Sequence, residues 1–410
     1  MSRAAHRITV VRLVAIAATT AALAMTATPA TADEIQPTVM TWGAGIVGQL
    51  GNGTMTDSAT PTAVTDLLRG DIKKIAAGGT SSENGFALAL ASSGGTVRSW
   101  GHNASGQLGN NTHAAQTVPV KVPNLPPVTD IAAGGEHALA LDEHGQVHSW
   151  GDNSYGQLGN GRTGDNRSVP ARVQGMPKVT QIAAGCDFSL ALLDNGKVYA
   201  WGRGIYGQLG NGSRESSSVP RQVTGLPKVA KIAAGCHHAL AVTAAEEGED
   251  AGKSVVKAWG YNIYGQLGNS STASSTKPVD VDWLEGVSTI HAGGWHNYAV
   301  LNDGSVWGWG HNQYGQLLDE DENFDGEVYR TNRTAPIEIL QLKNLTKLAA
   351  GAYHGVALKD DHVYTWGQNA DGQLGNGNTT DSHTMLKVLQ SDSSTTDVTA
   401  SLGGNTTYVH

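Results

Sequence analysis

The fold predicted by this chain is an all-β, seven-bladed β-propeller, on three observations. A Trp-Gly pair recurs seven times in register, at Trp42, Trp100, Trp150, Trp201, Trp259, Trp309 and Trp366, at intervals of 50 to 58 residues. Each pair is followed closely by Gly-Gln-Leu. Self-similarity at such a period marks an array in which each unit buries its apolar faces only against its neighbours. The third observation concerns the ends. The last copy stops at His410 after its second strand, and the missing third strand reads at the other terminus as Val39-Met40-Thr41-Trp42. N-terminal strands that complete the C-terminal blade close the ring and leave no free sheet edge.

In chain order, Arg3, Arg7 and Arg12 precede an apolar run from Leu13 to Met25, and Ala30-Thr31-Ala32 supplies a small-residue cleavage site before Asp33. This pattern predicts a secretory signal peptide over 1–32 and a propeller over 33–410, hence a secreted protein. The apolar run is too short and wrongly flanked to span a bilayer, so no membrane insertion is expected after cleavage. Losing the leader removes three basic and no acidic residues from a chain of formal net charge −9, which leaves −12. An acidic domain is a poor match for nucleic-acid phosphates, so no nucleic-acid partner is expected.

One copy serves for the elements of all. Gln181 to Gly185 is a run of small residues suited to an inner strand near an axis, and Ser189 to Leu192 reads as the second strand. Asp194-Asn195-Gly196 is a hairpin turn, because Asn-Gly takes the positive φ angles such turns need. Val198 to Trp201 reads as the third strand, Gly207 to Gly212 as a glycine-rich loop and Val219 to Val223 as an edge strand, where Pro220 is tolerated. Alternation along Val147-His148-Ser149-Trp150 sets a bulky face against a Val-plus-small face, as interdigitating blades require.

The pattern Trp-Gly-x-Asn-x-x-Gly-Gln-Leu-Gly, then Pro-x-x-Val, then Ile-Ala-Ala-Gly-x-x-His-x-x-Ala-Leu resembles the regulator-of-chromosome-condensation repeat. Trp150 to Leu192 carries it nearly complete, with Phe188 in the His slot, and the resemblance covers about residues 37–410. It implies a seven-bladed propeller that binds proteins. The best-known eukaryotic member is a guanine-nucleotide exchange factor that binds chromatin. Bacterial members include a secreted propeller that inhibits β-lactamases, which implies inhibition of an extracellular enzyme as one form of binding. The reading is a secreted, non-enzymatic scaffold that holds an unknown protein partner outside the cytoplasm through its loops. The alternatives are a hydrolase or lyase acting on cell-wall or exogenous polymer, and an exchange-factor-like regulator.

Candidate site residues come from comparing the copies. The residue before Gly-Gln-Leu varies as Val47, Ser105, Tyr155, Tyr206, Tyr264, Tyr314 and Asp371. Four consecutive copies carry Tyr where others manage without, so Tyr155, Tyr206, Tyr264 and Tyr314 are read as a partner-binding arc along one rim, with Trp295 added because it exceeds the repeat's needs. Trp307 exceeds the repeat's needs as well, and either Trp could be packing, just as the Tyr rings could simply cover the neighbouring loop; Trp283 is less informative.

His137, His238, His296 and His354 recur at one slot, a whole blade apart, which is too far to share a metal ion. They are expected to hydrogen-bond blade to blade. Gly43-x-Gly45-x-x-Gly48 and Gly202-x-Gly204-x-x-Gly207 match a dinucleotide fingerprint without a βαβ unit around them, so both are accidental. No catalytic residue is assigned. Asp319, Asp321, Asn323 and Asp325 alternate oxygens as a calcium loop does, but Phe324 and Arg330 break the EF-hand rule. The segment reads as a solvated acidic loop, with a weak calcium site as the alternative, and no other cofactor is expected. A second acidic insert, Glu246 to Asp250, belongs to the opposite face. The only cysteines, Cys186 and Cys236, fill the same slot in consecutive copies, either as an inter-repeat disulfide or as two small buried residues.

Overall fold

A computed structural model describes residues 38–244, 254–319, 321–322, 328–391 and 395–410, with the side chains of 321–322 and 328–329 set aside. The predicted signal peptide and the Glu246 to Asp250 insert lie outside the described residues, as do Asn323 and Asp325.

Each of the seven recurring Trp-Gly pairs ends the third strand of a four-stranded antiparallel sheet, and there are seven such sheets among the described residues. The copy read above folds as Val179–Ala184, Phe188–Leu193, Val198–Gly202 and Ser217–Gln222, within two residues of the predicted strands. The closing sheet takes its outer two strands, Ser58–Leu68 and Thr38–Gly43, from the N-terminal end and its inner two, Thr406–Val409 and Val398–Ala400, from the C-terminal end. Met40 pairs with Val409 and Gly43 with Thr406, so the ring is closed as expected.

The alanines of the innermost strands, from Ala76 through Ala133, Ala184 and Ala234 to Ala400, line the axis, where only small side chains fit. Between blades, large side chains meet small ones. Leu88, Leu90 and Val97 of one blade pack against Ala138, Ala140 and Trp150 of the next. Leu139, Leu141 and Val147 then pack against Ala191 and Trp201 of the blade beyond.

The Trp rings also lock the blades polar group to polar group. Every one of the seven indoles is fully buried and donates its Nε1–H, at 2.8–3.0 Å, to the backbone carbonyl of the Gln in the preceding blade's Gly-Gln-Leu. The conserved spacing of Trp and Gln-Leu within this chain thus has a partner in space as well as in sequence.

The histidine slot follows a related rule. His137 Nε2 meets Ser189 Oγ at 2.9 Å, His238 meets Asn297 Oδ1 at 2.6 Å and His354 meets Thr407 Oγ1 at 3.0 Å, each in the next blade. His296 departs from the expectation. The next blade presents Gly355, which has no side chain to offer because the Trp366 ring fills the space a Cβ would need, and His296 packs edge-on against Tyr298. Where the slot holds Phe86 or Phe188, the facing residue is Ala138 or Ala239.

Cys186 and Cys236 are joined in a disulfide across adjacent blades, with Cα atoms 4.5 Å apart. It sits in a collar of inter-blade backbone bonds: Gly135 N–H to Cys186 O, Cys186 N–H to Cys236 O, Cys236 N–H to Gly294 O and Gly294 N–H to Gly351 O. Consecutive inner loops approach closely enough there for two sulfurs to bond.

Candidate functional site

The two strand-1-to-strand-2 and strand-3-to-strand-4 loops of each blade open on the same face of the disc, and three variable positions meet there. The first is the residue before the histidine slot. The second is the residue after Trp-Gly, and the third is the residue before Gly-Gln-Leu.

Local geometry brings the first two together. The Gly after each Trp has φ between +99° and +104°, and a Cβ there would lie 2.2–2.7 Å from the carbonyl oxygen of the first position. Only Gly allows that approach. The next N–H donates to the same carbonyl: Arg203 to Asp187 at 2.9 Å, Tyr261 to His237 at 2.9 Å, His311 to Trp295 at 3.0 Å and Gln368 to Tyr353 at 3.0 Å.

The third position is pinned by the Gln of its own loop. That side chain accepts from the N–H two residues before it at 2.9–3.1 Å in all seven copies, whether the residue is Val47, Ser105, Asp371 or one of the four tyrosines. Leu N–H donates to the Asn of the same loop in the copies that have one, as Leu158 does to Asn153 at 3.0 Å. In the two Gly-rich copies Gly45 N–H and Gly204 N–H donate to Asp57 and Ser216, as the Asn N–H does at the same place in other copies (Asn153 to Asn166, Asn262 to Ser274), so these glycine motifs serve the loop itself.

Each third position lands on the pair of the following blade. Tyr206 packs on Tyr261 and His237, with ring centroids 4.7 and 5.2 Å apart. Tyr264 meets His311 at 4.8 Å and Trp295 at 5.8 Å, edge-on in both cases. Tyr314 meets Tyr353 at 5.3 Å and His311 at 5.8 Å. His237 and Tyr261 also touch Trp295, so three consecutive junctions fuse into one sheet of rings from Tyr206 to Tyr353. All of these rings are half-buried except His311, which is buried.

Of the residues predicted for the arc, Tyr206, Tyr264, Tyr314 and Trp295 are brought together. Tyr155 touches none of the other rings and is joined to Tyr206 through Arg203, whose guanidinium carbon lies 4.6 Å from the Tyr155 centroid and 5.5 Å from that of Tyr206. The rings also run inward from the expected rim. Trp295 and Tyr353 line a cavity of about 240 Å³ with Cys236, Leu402 and Asn405 at the mouth of the channel.

Sequence reading missed His237, Tyr261, His311, Tyr353 and Arg203. Their two slots vary between copies just as the Tyr slot does, so the same internal comparison would have found them. Trp307 packs between blades with its Nε1–H on Ser305 Oγ at 3.3 Å. Trp283, read as less informative, is the most exposed large apolar residue described, at 73%, and sits at φ +58°. Other copies place Asp66, Asn124, Gly175 or Gly225 at this left-handed turn, on the face opposite the rings.

The ring sector is electrically neutral. Burial, helped by the nearby Arg203 charge, holds His237 down to about 4, and burial also lowers His311. Burial followed by the neighbouring phenols pushes Tyr353 up to about 12. Carboxylates flank the sector on both sides. Asp187 is paired with Arg203 at 2.8 Å. Glu136 takes hydrogen bonds from Ser105 and Asn84, Asp152 from Gln157, and Asp371 from Asn405, all from uncharged donors.

Asp319, the described ligand candidate of the acidic loop, is ion-paired with Arg333, and Asp321 lies in a short hairpin, Asp321–Glu322 with Val328–Tyr329. Among the described residues, no group of three or more His, Cys, Asp or Glu is arranged to hold a metal ion. No helix among them is long and apolar enough to cross a membrane.

Seven interlocked blades with a rigid, sequence-variable loop face define a propeller scaffold. The chain belongs to the RCC1-like domain family, whose model matches residues 38–409. It is 32% identical over 353 residues to the ultraviolet-B receptor UVR8 of Arabidopsis thaliana, covering 84% of this chain and 76% of that protein. It is 30% identical to the human E3 ubiquitin-protein ligase HERC2 across 83% of this chain, but spans only 7% of that much longer protein. Among solved structures, Prp20p of Saccharomyces cerevisiae, described with its binding to Gsp1p and histones, superposes with a TM-score of 0.75 at 26% identity, covering 92% of this chain and 91% of that one. Human WBSCR16 superposes with a TM-score of 0.75 at 25% identity, over 90% and 98% of the two chains. A propeller of this family is a protein-binding or regulatory scaffold.

Proposed function

We propose that the protein is a secreted, non-enzymatic propeller that holds a protein partner outside the cytoplasm on its aromatic loop face. Inhibition of an extracellular enzyme is one concrete form of that activity. The observation that carries the reading is the fused ring sector. Tyrosine and tryptophan supply large contact area at low conformational cost, and they are enriched among the residues that dominate protein interfaces. Here the backbone of each Tyr is already held by its loop Gln, so little ordering remains to be done on binding. The leader-like residues 1–32 support a location outside the cytoplasm.

The test uses the purified protein as bait in culture supernatant and envelope extract, beside a variant with Tyr206, Tyr264 and Tyr314 changed to Ala. Retention of a partner by the parent and its loss by a variant of unchanged circular dichroism and melting temperature is the expected result. Equal capture by both removes the ring sector as the site.

A further inference from the structure

The ring sector calls for a particular kind of partner. Its rings present π faces and edges, and its two imidazoles are uncharged. The single cation among the three variable positions, Arg203, is already committed to Asp187 and to the neighbouring Tyr155–Tyr206 pair. That pair displays the chemistry in miniature: a guanidinium over tyrosine rings, steadied by a carboxylate. The three aromatic junctions that follow repeat the rings without a cation, while Asp371 on one side and Asp152 and Glu136 on the other are hydrogen-bonded by uncharged donors and form no salt bridge among the described residues. Across the three variable positions of all seven blades there are four carboxylates and one guanidinium, in a chain of net charge −9.

Resting on the reading of this face as the partner site, we infer that its occupant is a basic segment of the partner protein. An arginine or lysine of that segment stacks on the rings between Tyr206 and Tyr353, and flanking basic residues meet Asp371, Asp152 and Glu136. Aromatic faces attract such cations electrostatically, more strongly when the site is partly desolvated, as it is at these half-buried rings. The carboxylates guide approach and orientation.

A fluorescein-labelled ten-residue peptide carrying four arginines spaced by glycine and serine, titrated into the purified protein and followed by anisotropy, tests this. Its twin has citrulline at the four positions, which keeps shape and removes charge. The arginine peptide should bind about tenfold or more tighter than the citrulline peptide. Tyr264→Leu or Trp295→Leu should each weaken it by about fivefold or more, whereas Tyr264→Phe keeps the ring and should leave binding within about twofold. Asp371→Asn and Asp152→Asn should weaken it and flatten its salt dependence.

Equal affinity for the two peptides, or indifference to the leucine variants, overturns the inference. So does binding of a hexasaccharide that those variants abolish while neither peptide binds. If the arginine peptide fails but the tyrosine-to-alanine variant still loses a captured protein, the basic-segment inference falls and the partner-binding reading stands. If neither peptide nor capture depends on the rings, both fall.

Discussion

His137, His238 and His354 are imidazoles sealed from water, and burial holds each of them down to about 4, with Asn297 and nearby carboxylates opposing it only in part. The unfolded chain takes up their protons near pH 6.5, before the folded one does. Their contribution to stability is therefore complete above about pH 6.5 and is lost as pH falls towards about 4, at about 3 kcal/mol for a single imidazole over that window. The melting temperature should fall through this range. The chain also contains the control, because Phe86 and Phe188 occupy the same slot opposite alanine. The double variant His137→Phe, Ser189→Ala should fold and show a shallower acid slope than the parent. Ser189→Ala alone leaves His137 Nε2 without its partner and should cost about 1–3 kcal/mol. Urea titrations at pH 7 and pH 5 measure both. The slot was legible as structural from its spacing, but the pairing of His with polar and Phe with Ala was not, since facing residues lie about one period apart and meet only when blades stack.

At the level of the blade, strands were readable because small inner residues, Asn-Gly turns and Trp-Gly ends mark them. What the Trp does was not readable. Trp150 Nε1–H donates to Gln107 O at 2.8 Å, and Gly109, at φ +65°, passes so near that a Cβ would lie 2.7 Å from that nitrogen. Trp150→Phe should cost about 2–4 kcal/mol through the lost bond and the cavity left behind. Gly109→Ala should also destabilise, through its left-handed backbone as well as the clash. Blade six shows a different solution: Leu318 takes the Gly position at φ +52°, where the acidic insert begins. Chemical denaturation of the two variants, compared at one temperature, checks the ordering of lock and glycine.

Over the whole ring, closure rests on Thr38–Gly43 pairing with Thr406–Val409. Deleting residues 38–43 removes the third strand of the closing blade and with it the fully buried Trp42, whose indole donates to Gln373 O at 2.9 Å. The expected outcome is loss of the cooperative melting transition, and an unchanged transition contradicts it. The disulfide acts at the same scale, tying two blades 50 residues apart in sequence and backing the cavity that Trp295 lines. Reduction, or Cys186→Ser with Cys236→Ser, should lower stability by about 2–4 kcal/mol. Calorimetry with and without reductant measures it. The sequence by itself determined the number of blades, their strand order and the closing terminus, and it singled out Tyr206, Tyr264, Tyr314 and Trp295, because these follow from local periodicity and from differences between copies. Only the tertiary structure decided that the two sulfurs bond, that Tyr155 is joined to the arc through Arg203, and that His237, Tyr261, His311 and Tyr353 belong to the same surface. Those facts depend on which loops of neighbouring blades come within a few ångströms, a distance that the curvature of the closed ring sets and no single repeat contains.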